Sequence, residues 1–364
     1  MNKIFKVIWS KSKQCYIVVS EIAKNKTGKK KIVVAGIFAA LSLIGHLQPV
    51  QAIDGAGDKA GFSNAASGVN FDSTKGIAIG LKNGDKTSAN GNVATVAIGA
   101  HSNASGSSSV AIGGAVVDGA GAIGLGWSTA KGNNAVALGG TGLTNANGNN
   151  AFAASGGNAN GESATAIGSS AIASGRGGVA VGWNSQSAVN AVGIGFNAKA
   201  KSNNTVAIGV EANSDNSIGD NSSSVSIGVK TRAREVGSMA MGVSADASGK
   251  YSIALGSGNV SGDYTATANY PKATGEKAIA IGYNSNSSNT GATAIGAGAT
   301  ASGTDSFAGG SGTAGGNSSI AIGKGASITA PIAGTTFGGQ DSIAMGTGAS
   351  ANQHSSVTIG AGST

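Results

Sequence analysis

From Gly76 to the end of the chain, large and small apolar residues alternate in short runs that stop at glycine, as in Val206-Ala207-Ile208-Gly209. Nineteen such runs occur, most of them 14 or 13 residues apart. Alternation of period two predicts a short strand with the large pair on one face and alanine on the other. The terminal glycine marks the point where the chain turns. A second run of small residues follows in most copies, as in Ser102-Asn-Ala-Ser-Gly106, Ala245-Asp-Ala-Ser-Gly249 and Ala299-Thr-Ala-Ser-Gly303. It reads as a second short strand closed by a turn. Strand, turn, strand, turn in about 14 residues is one rung of a β-solenoid. Glycine density and the period of two exclude a helix.

One rung buries too little to offset the ordering of its own backbone, so stacking must supply the rest through ladder hydrogen bonds and continuous side-chain columns. The large pairs are expected to be those core columns: Ile77, Ile79, Val96, Ile98, Val110, Ile112, Val179, Val181, Val206, Ile208, Ile253, Leu255, Ile279, Ile281, Ile320 and Ile322. The alanine face, or the small-residue strand, is then left to pack on a neighbour. At about 4.8 Å per rung the stack would extend on the order of 90 Å. Where the spacing stretches, rungs carry loops: 81–95, 210–224, 257–277 and 324–341. Pro271 and Pro331 fall in the two longest, outside the ladder as proline requires. The loop holding Tyr264 and Tyr270 leaves the stack and is the candidate ligand loop.

Composition supports a thin repetitive architecture rather than a thick core: glycine is 63 of 364 residues and aromatics are 4%. The net charge of +8 misleads if read over the whole chain. Residues 1–52 hold nine lysines against the single acid Glu21, so the leader carries the entire excess and the remainder is balanced. A nucleic-acid partner thereby loses its main support. The only cysteine, Cys15, also lies in the leader, so the repeats have neither disulfides nor thiol chemistry.

Within the leader, Lys29-Lys30-Lys31 precedes a 16-residue apolar run, Ile32 to Leu47, followed by Gln48-Pro49-Val50-Gln51-Ala52. This is the layout of a secretory signal, with cleavage expected between Ala52 and Ile53. The run falls short of the roughly 20 residues that a spanning helix needs. Residues 1–24, upstream of the signal proper, resemble the extended signal peptide region of Gram-negative type V secreted proteins; an amphipathic membrane-surface helix is the plainer alternative. The expected division is an extended signal region at 1–24, a signal peptide at 25–52, a lead-in at 53–75 and repeats over 76–364.

The unit Ser109-Val110-Ala111-Ile112-Gly113, with its Ala-x-Ala-Ser-Gly companion, resembles the YadA-like head repeats of trimeric autotransporter adhesins. The resemblance covers roughly residues 76–364. It implies a left-handed parallel β-roll, a homotrimer, and display on the surface of a Gram-negative bacterium. It further implies autoaggregation and attachment to host matrix proteins of the collagen, fibronectin or laminin class. The sequence stops at Thr364, just after a repeat. The neck, stalk and C-terminal membrane anchor that the resemblance implies are not recognised in it, so the expectation is either a fragment of a protein anchored through a C-terminal domain beyond Thr364 or a truncated gene product.

No catalytic, cofactor or metal constellation stands out, and none of the three is expected. His101 and His354 lie far apart along the repeats. Runs such as Gly121-Ala-Ile-Gly-Leu-Gly126 mimic a dinucleotide fingerprint but lack its helix. Aspartates are too scattered for calcium-binding nonapeptides, and threonine holds no single column. Aromatics follow the strand glycine at Trp183, Phe196 and Tyr283, with Trp127 close to that column. Packing over a turn or between subunits is their first reading. A non-enzymatic adhesin head is the reading reached, with a purely structural or aggregating surface protein, or a β-solenoid enzyme, as alternatives.

Overall fold

The structure is a computed structural model. It describes residues 5–10, 15–20, 63–64, 67–72, 76–80, 87–90, 94–140, 143–214, 223–259, 269–329 and 338–364. Ala52, Ile53, Tyr264 and Pro331 lie outside the described residues, as do large parts of all four long loops. The chain divides into two compact units, Met1–Ala60 and Gly61–Thr364.

In the first unit Phe5–Ser10 pairs antiparallel with Cys15–Ser20, in register from Phe5 opposite Ser20 to Ser10 opposite Cys15. The helical alternative for this stretch is thus replaced by a hairpin. Its composition agrees, because β-branched and aromatic residues make up most of both runs and lose less freedom in strands than in a helix.

The second unit is all-β among its described residues, with no α-helix. Nineteen strands, from Gly76–Gly80 to Val357–Ile359, stack as one parallel in-register ladder. One copy per rung enters it, so Val206 lies between Val192 and Val225, and Ile208 between Ile194 and Ile227. The companion strands form a second parallel ladder. It comprises nine strands from Ser88–Ala89 to Lys199–Ala200, then seven from Arg232–Ala233 to Ser327–Ile328. Single bridges through Asn213 join the two groups. At the N-terminal end, Ser67–Asp72 pairs antiparallel with Gly76–Gly80, so a strand from the lead-in covers the first rung's open edge.

The interior corrects one expectation. Alanine, not the large pair, points inward: Ala97, Ala111, Ala137, Ala180, Ala207, Ala254, Ala280 and Ala321 are all fully buried. The companion strands contribute a facing alanine column through Ala104, Ala130, Ala159, Ala200, Ala233 and Ala301. None of the sixteen residues expected as core columns is buried. Val96, Ile98, Val110, Val179, Val181, Val206, Ile208, Ile253, Leu255, Ile279 and Ile281 are half-buried. Ile77, Ile79, Ile112, Ile320 and Ile322 are exposed. Their partial cover comes from neighbouring rungs. In the last strand, with a rung on one side only, Ile359 is 69% exposed against 39% for Met345 beside it.

The physical reason is volume. The two ladders face each other across a gap only as wide as two methyl groups, and such interiors are close-packed. Exceptions obey the same limit. Val117 is buried inside, and a Cβ on the facing Gly124 would run into its Cγ2. Ile328 is buried likewise, opposite Gly339. The same limit sets the register of this rung, where Ala122-Ile123-Gly124 would by sequence be taken as the strand and its closing glycine. Ile123 pairs with Val110 and Val136, so Gly124 occupies the alanine position and Gly126 ends that rung.

Rung corners are held by short polar devices. A buried Ser or Thr just before the first strand donates its hydroxyl to the carbonyl three residues back: Thr205 to Ser202 at 2.7 Å, Ser252 to Gly249 at 2.7 Å, Ser306 to Gly303 at 2.7 Å. At these three corners the hydroxyl is satisfied, whereas Ser224 at the equivalent position before Val225 is buried without a hydrogen-bond partner among the described residues. Gly209 shows why glycine ends the strand. Its φ is +128°, and a Cβ there would collide with the carbonyl of Gly228 in the next rung.

Candidate interaction surfaces

With alanine inside, the outward columns carry whatever the protein does. Three surfaces differ in chemistry.

The first is the outer side of the long ladder. Its two columns are Val, Ile, Leu, Met, Phe or Thr in nearly every rung, half-buried to exposed over nineteen strands. An apolar stripe of this extent exceeds what a solitary soluble fold leaves uncovered.

The second lies at the turn after the long strand. Trp183 and Phe196, one rung apart, stack with ring centroids 4.9 Å apart and planes at 16°. Val210, Val229 and Val243 continue that column over the next three rungs, half-buried. Tyr283 accepts a hydrogen bond from Asn259 Nδ2 at 3.3 Å. Trp127 leaves the regular column because its rung has one residue fewer at this turn. Its ring covers Gly114 and meets the His101 ring at 5.6 Å. With Val116, Ser128, Thr129 and Leu143 these residues line a shallow hollow of about 480 Å³.

The third is the outer side of the short ladder, and it is polar. Its column runs Asn158, Ile172, Gln186, Lys199, Asn213, Arg232, Asp246, Lys272, Asn286 in register. Asp246 is buried, with its Oδ2 3.2 Å from Arg232 Nη2 and 3.5 Å from Arg234 Nη2. Arg232 Nη2 also donates to the Tyr270 hydroxyl at 3.1 Å. The Tyr270 ring lies against two cations, with Lys272 Nζ 4.6 Å and the Arg232 guanidinium carbon 5.6 Å from its centre. Thus Tyr270 does not project on a loop; it is fastened to the short ladder one residue before the buried Pro271. The charged neighbours are far apart along the chain and meet only through the register of the companion strands. Writing Lys199-Ala-Lys201, Arg232-Ala-Arg234, Asp246-Ala-Ser248 and Lys272-Ala-Thr274 beneath one another brings the charges together.

Among the described residues no three His, Cys, Asp or Glu side chains gather as a metal-binding group. His101 and His354 sit near opposite ends of the ladder, both exposed. His354 has Ser355 Oγ 2.7 Å from Nδ1 and Asp341 Oδ2 3.6 Å from Nε2. This superficially resembles a hydrolase triad. The carboxylate lies too far away to orient the ring, and His354 and Asp341 are more than half exposed, so the imidazole is not held as a base.

Comparison with known families agrees with this architecture. Residues 1–46 match the extended signal peptide of the type V secretion system. The YadA head domain repeat matches at 91–115, 118–140, 159–185, 187–212, 233–259, 273–299, 287–313 and 338–363, together more than half of the chain. A search of curated proteins finds no significant match. The two family matches direct the chain to export and display at the Gram-negative cell surface. A type V export signal followed by a solenoid of these repeats makes the chain a member of the YadA-head family of trimeric autotransporter adhesins.

Proposed function

We propose that the second unit is a non-enzymatic adhesin head that works as a homotrimer. The observation that carries this reading is the uncovered apolar face of the long ladder. Its Val and Ile columns repeat at the rung spacing itself, about 4.8 Å. A surface with the same pitch is another copy of the same ladder, and three copies meeting along these columns remove them from water. The polar short ladder of each copy then faces outward. Burying one half-exposed Val or Ile gains on the order of 1 kcal/mol, so some nineteen rungs sum to a permanent assembly.

Three outward faces with closely similar rungs favour weak multivalent attachment, in which many shallow contacts sum by avidity. Host matrix proteins of the collagen, fibronectin or laminin class are the ligands proposed, with clumping of the bacteria as a second outcome of the same surface. Solid-phase binding of the purified chain to these three proteins tests it. Saturable binding to at least one is expected. Cell clumping without saturable binding would leave a structural or aggregating surface protein instead. For export, we place signal cleavage between Ala52 and Ile53, leaving 53–75 as lead-in and 76–364 as head. Mass analysis of the exported chain should then show an N-terminus at Ile53; an intact leader on the exported protein would contradict it.

A further inference from the structure

We propose that the charged column on the short ladder binds a linear acidic polysaccharide, with its carboxylate or sulfate groups lying along Lys199, Arg232 and Lys272. The proposal rests on the adhesin reading only in needing this face to be outward.

Charge is the first argument. From Ile172 to Asn286 the outward positions described on this sheet hold five bases, Lys199, Lys201, Arg232, Arg234 and Lys272, against one acid, Asp246. The head as a whole is balanced in sequence, so this is a local concentration of positive charge on one face.

Spacing is the second. In the register of the ladder the bases occupy alternate rungs, with Asn213 and Asp246 between them. Two rungs are about 10 Å. An extended polymer lying along the solenoid axis therefore meets a cation at regular intervals. Gln186, Asn213 and Asn286 stand in the same column and supply amide donors and acceptors suited to sugar hydroxyls.

Preorganisation is the third. Asp246 fixes both arginines, and the Tyr270 ring holds Arg232 and Lys272. Side chains already ordered lose less freedom when a ligand arrives. Arg232 Nε and Asp246 Oδ1 are themselves buried, so the ligand is met by the outward parts of these side chains and by Lys199, Lys201, Arg234 and Lys272.

The same geometry disfavours other polyanions. Single-stranded nucleic acid needs free aromatic faces for stacking, whereas Tyr270 already has two cations against its ring. A lipid surface needs apolar anchors among the bases, and the outward positions between them are Asn213 and Asp246.

The test uses the purified chain on immobilised heparin, with dextran as the neutral polymer and phosphatidylglycerol vesicles as the lipid arm. Retention on heparin that salt abolishes, and none on dextran, is expected. The variant Lys199→Gln/Lys201→Gln/Arg234→Gln/Lys272→Gln leaves Asp246 and Arg232 in place. It should weaken binding about tenfold or more and flatten its salt dependence. Lys131→Gln/Lys324→Gln removes charges from distant rungs and should bind as the parent does. Lys199→Arg/Lys272→Arg should retain binding, which separates lost charge from lost folding. Failure of the parent chain to bind heparin overturns the proposal. So does equal weakening by the distant pair, or binding to vesicles in preference to heparin. Sedimentation mass on the same samples reads assembly separately: a monomer that still binds heparin through these residues upholds this site and overturns the trimer reading.

Discussion

The two ladders of the solenoid share an interior and differ outside. Each contributes one column of alanine, with serine as its common substitute, and each keeps its strands in parallel register. Outward, the long ladder shows Val206 and Ile208 where the short one shows Lys199, Arg232 or Asn286. The interior is therefore a constant set by volume, while the outer columns are free to specialise. In an ordinary sandwich, large apolar side chains mark the core. In this solenoid they mark the face that needs a partner, and the core is written in methyl groups.

The sharpest way to break this comparison is to enlarge the interior. Ala207 is fully buried. Ala207→Leu pushes a branched side chain into a gap two methyl groups wide. The cost should be at the upper end of overpacking, about 3 kcal/mol, because a ladder locked by rungs above and below cannot spread. A thermal melt of the variant against its parent checks it. Were Val206 and Ile208 the core, as alternation alone suggested, this substitution on an outward alanine would be nearly silent.

Next in size is the reverse experiment on the outer face. Val206→Asp/Ile208→Asp puts carboxylates into the proposed subunit contact while leaving the alanine column intact. The charges would have to be buried unpaired between copies, at a cost of several kcal/mol per contact. Loss of the trimer mass in sedimentation is expected, with the far-ultraviolet β signal retained. A variant that remains trimeric would place the interface elsewhere.

These two substitutions also show where the amino-acid sequence was legible. Period two and the 13- to 14-residue repeat identified the strands and the rung. They could not say which face was inside, because alternation groups residues by face and is silent on direction. Volume carries that information, and it resides in the companion strand. Opposite the long-strand alanine stands Ala104, Ala200 or Ala233, too close to admit Val and Ile in every rung. Val117 facing Gly124 exposes the rule, since a large residue enters only where its opposite number has no Cβ. Tyr270 is expected from sequence on a loop that leaves the stack, whereas its ring lies against the short ladder. Its partners Arg232 and Lys272 are 38 residues and two residues away in sequence, and register alone makes them neighbours. The aromatic pair Trp183 and Phe196 was visible as a column from spacing, and its stacking follows from the rung pitch.

The smallest effect is expected at the turns, where both faces meet and neither chemistry dominates. Asn184 has φ of +54°, and its Nδ2 donates to Asn197 Oδ1 in the next rung at 3.0 Å. Asn197 has the same backbone conformation, with φ of +54°. Asparagine tolerates this left-handed region better than other residues with a Cβ, so its recurrence here has a backbone cause as well as a hydrogen-bond cause. Asn184→Ala removes both and should cost about 1 kcal/mol. Asn184→Gly removes only the amide contact and relieves the backbone, so it should cost less. Melting the two variants side by side separates the causes: equal losses would assign the position to the amide ladder, and a smaller loss for glycine would assign it to the turn.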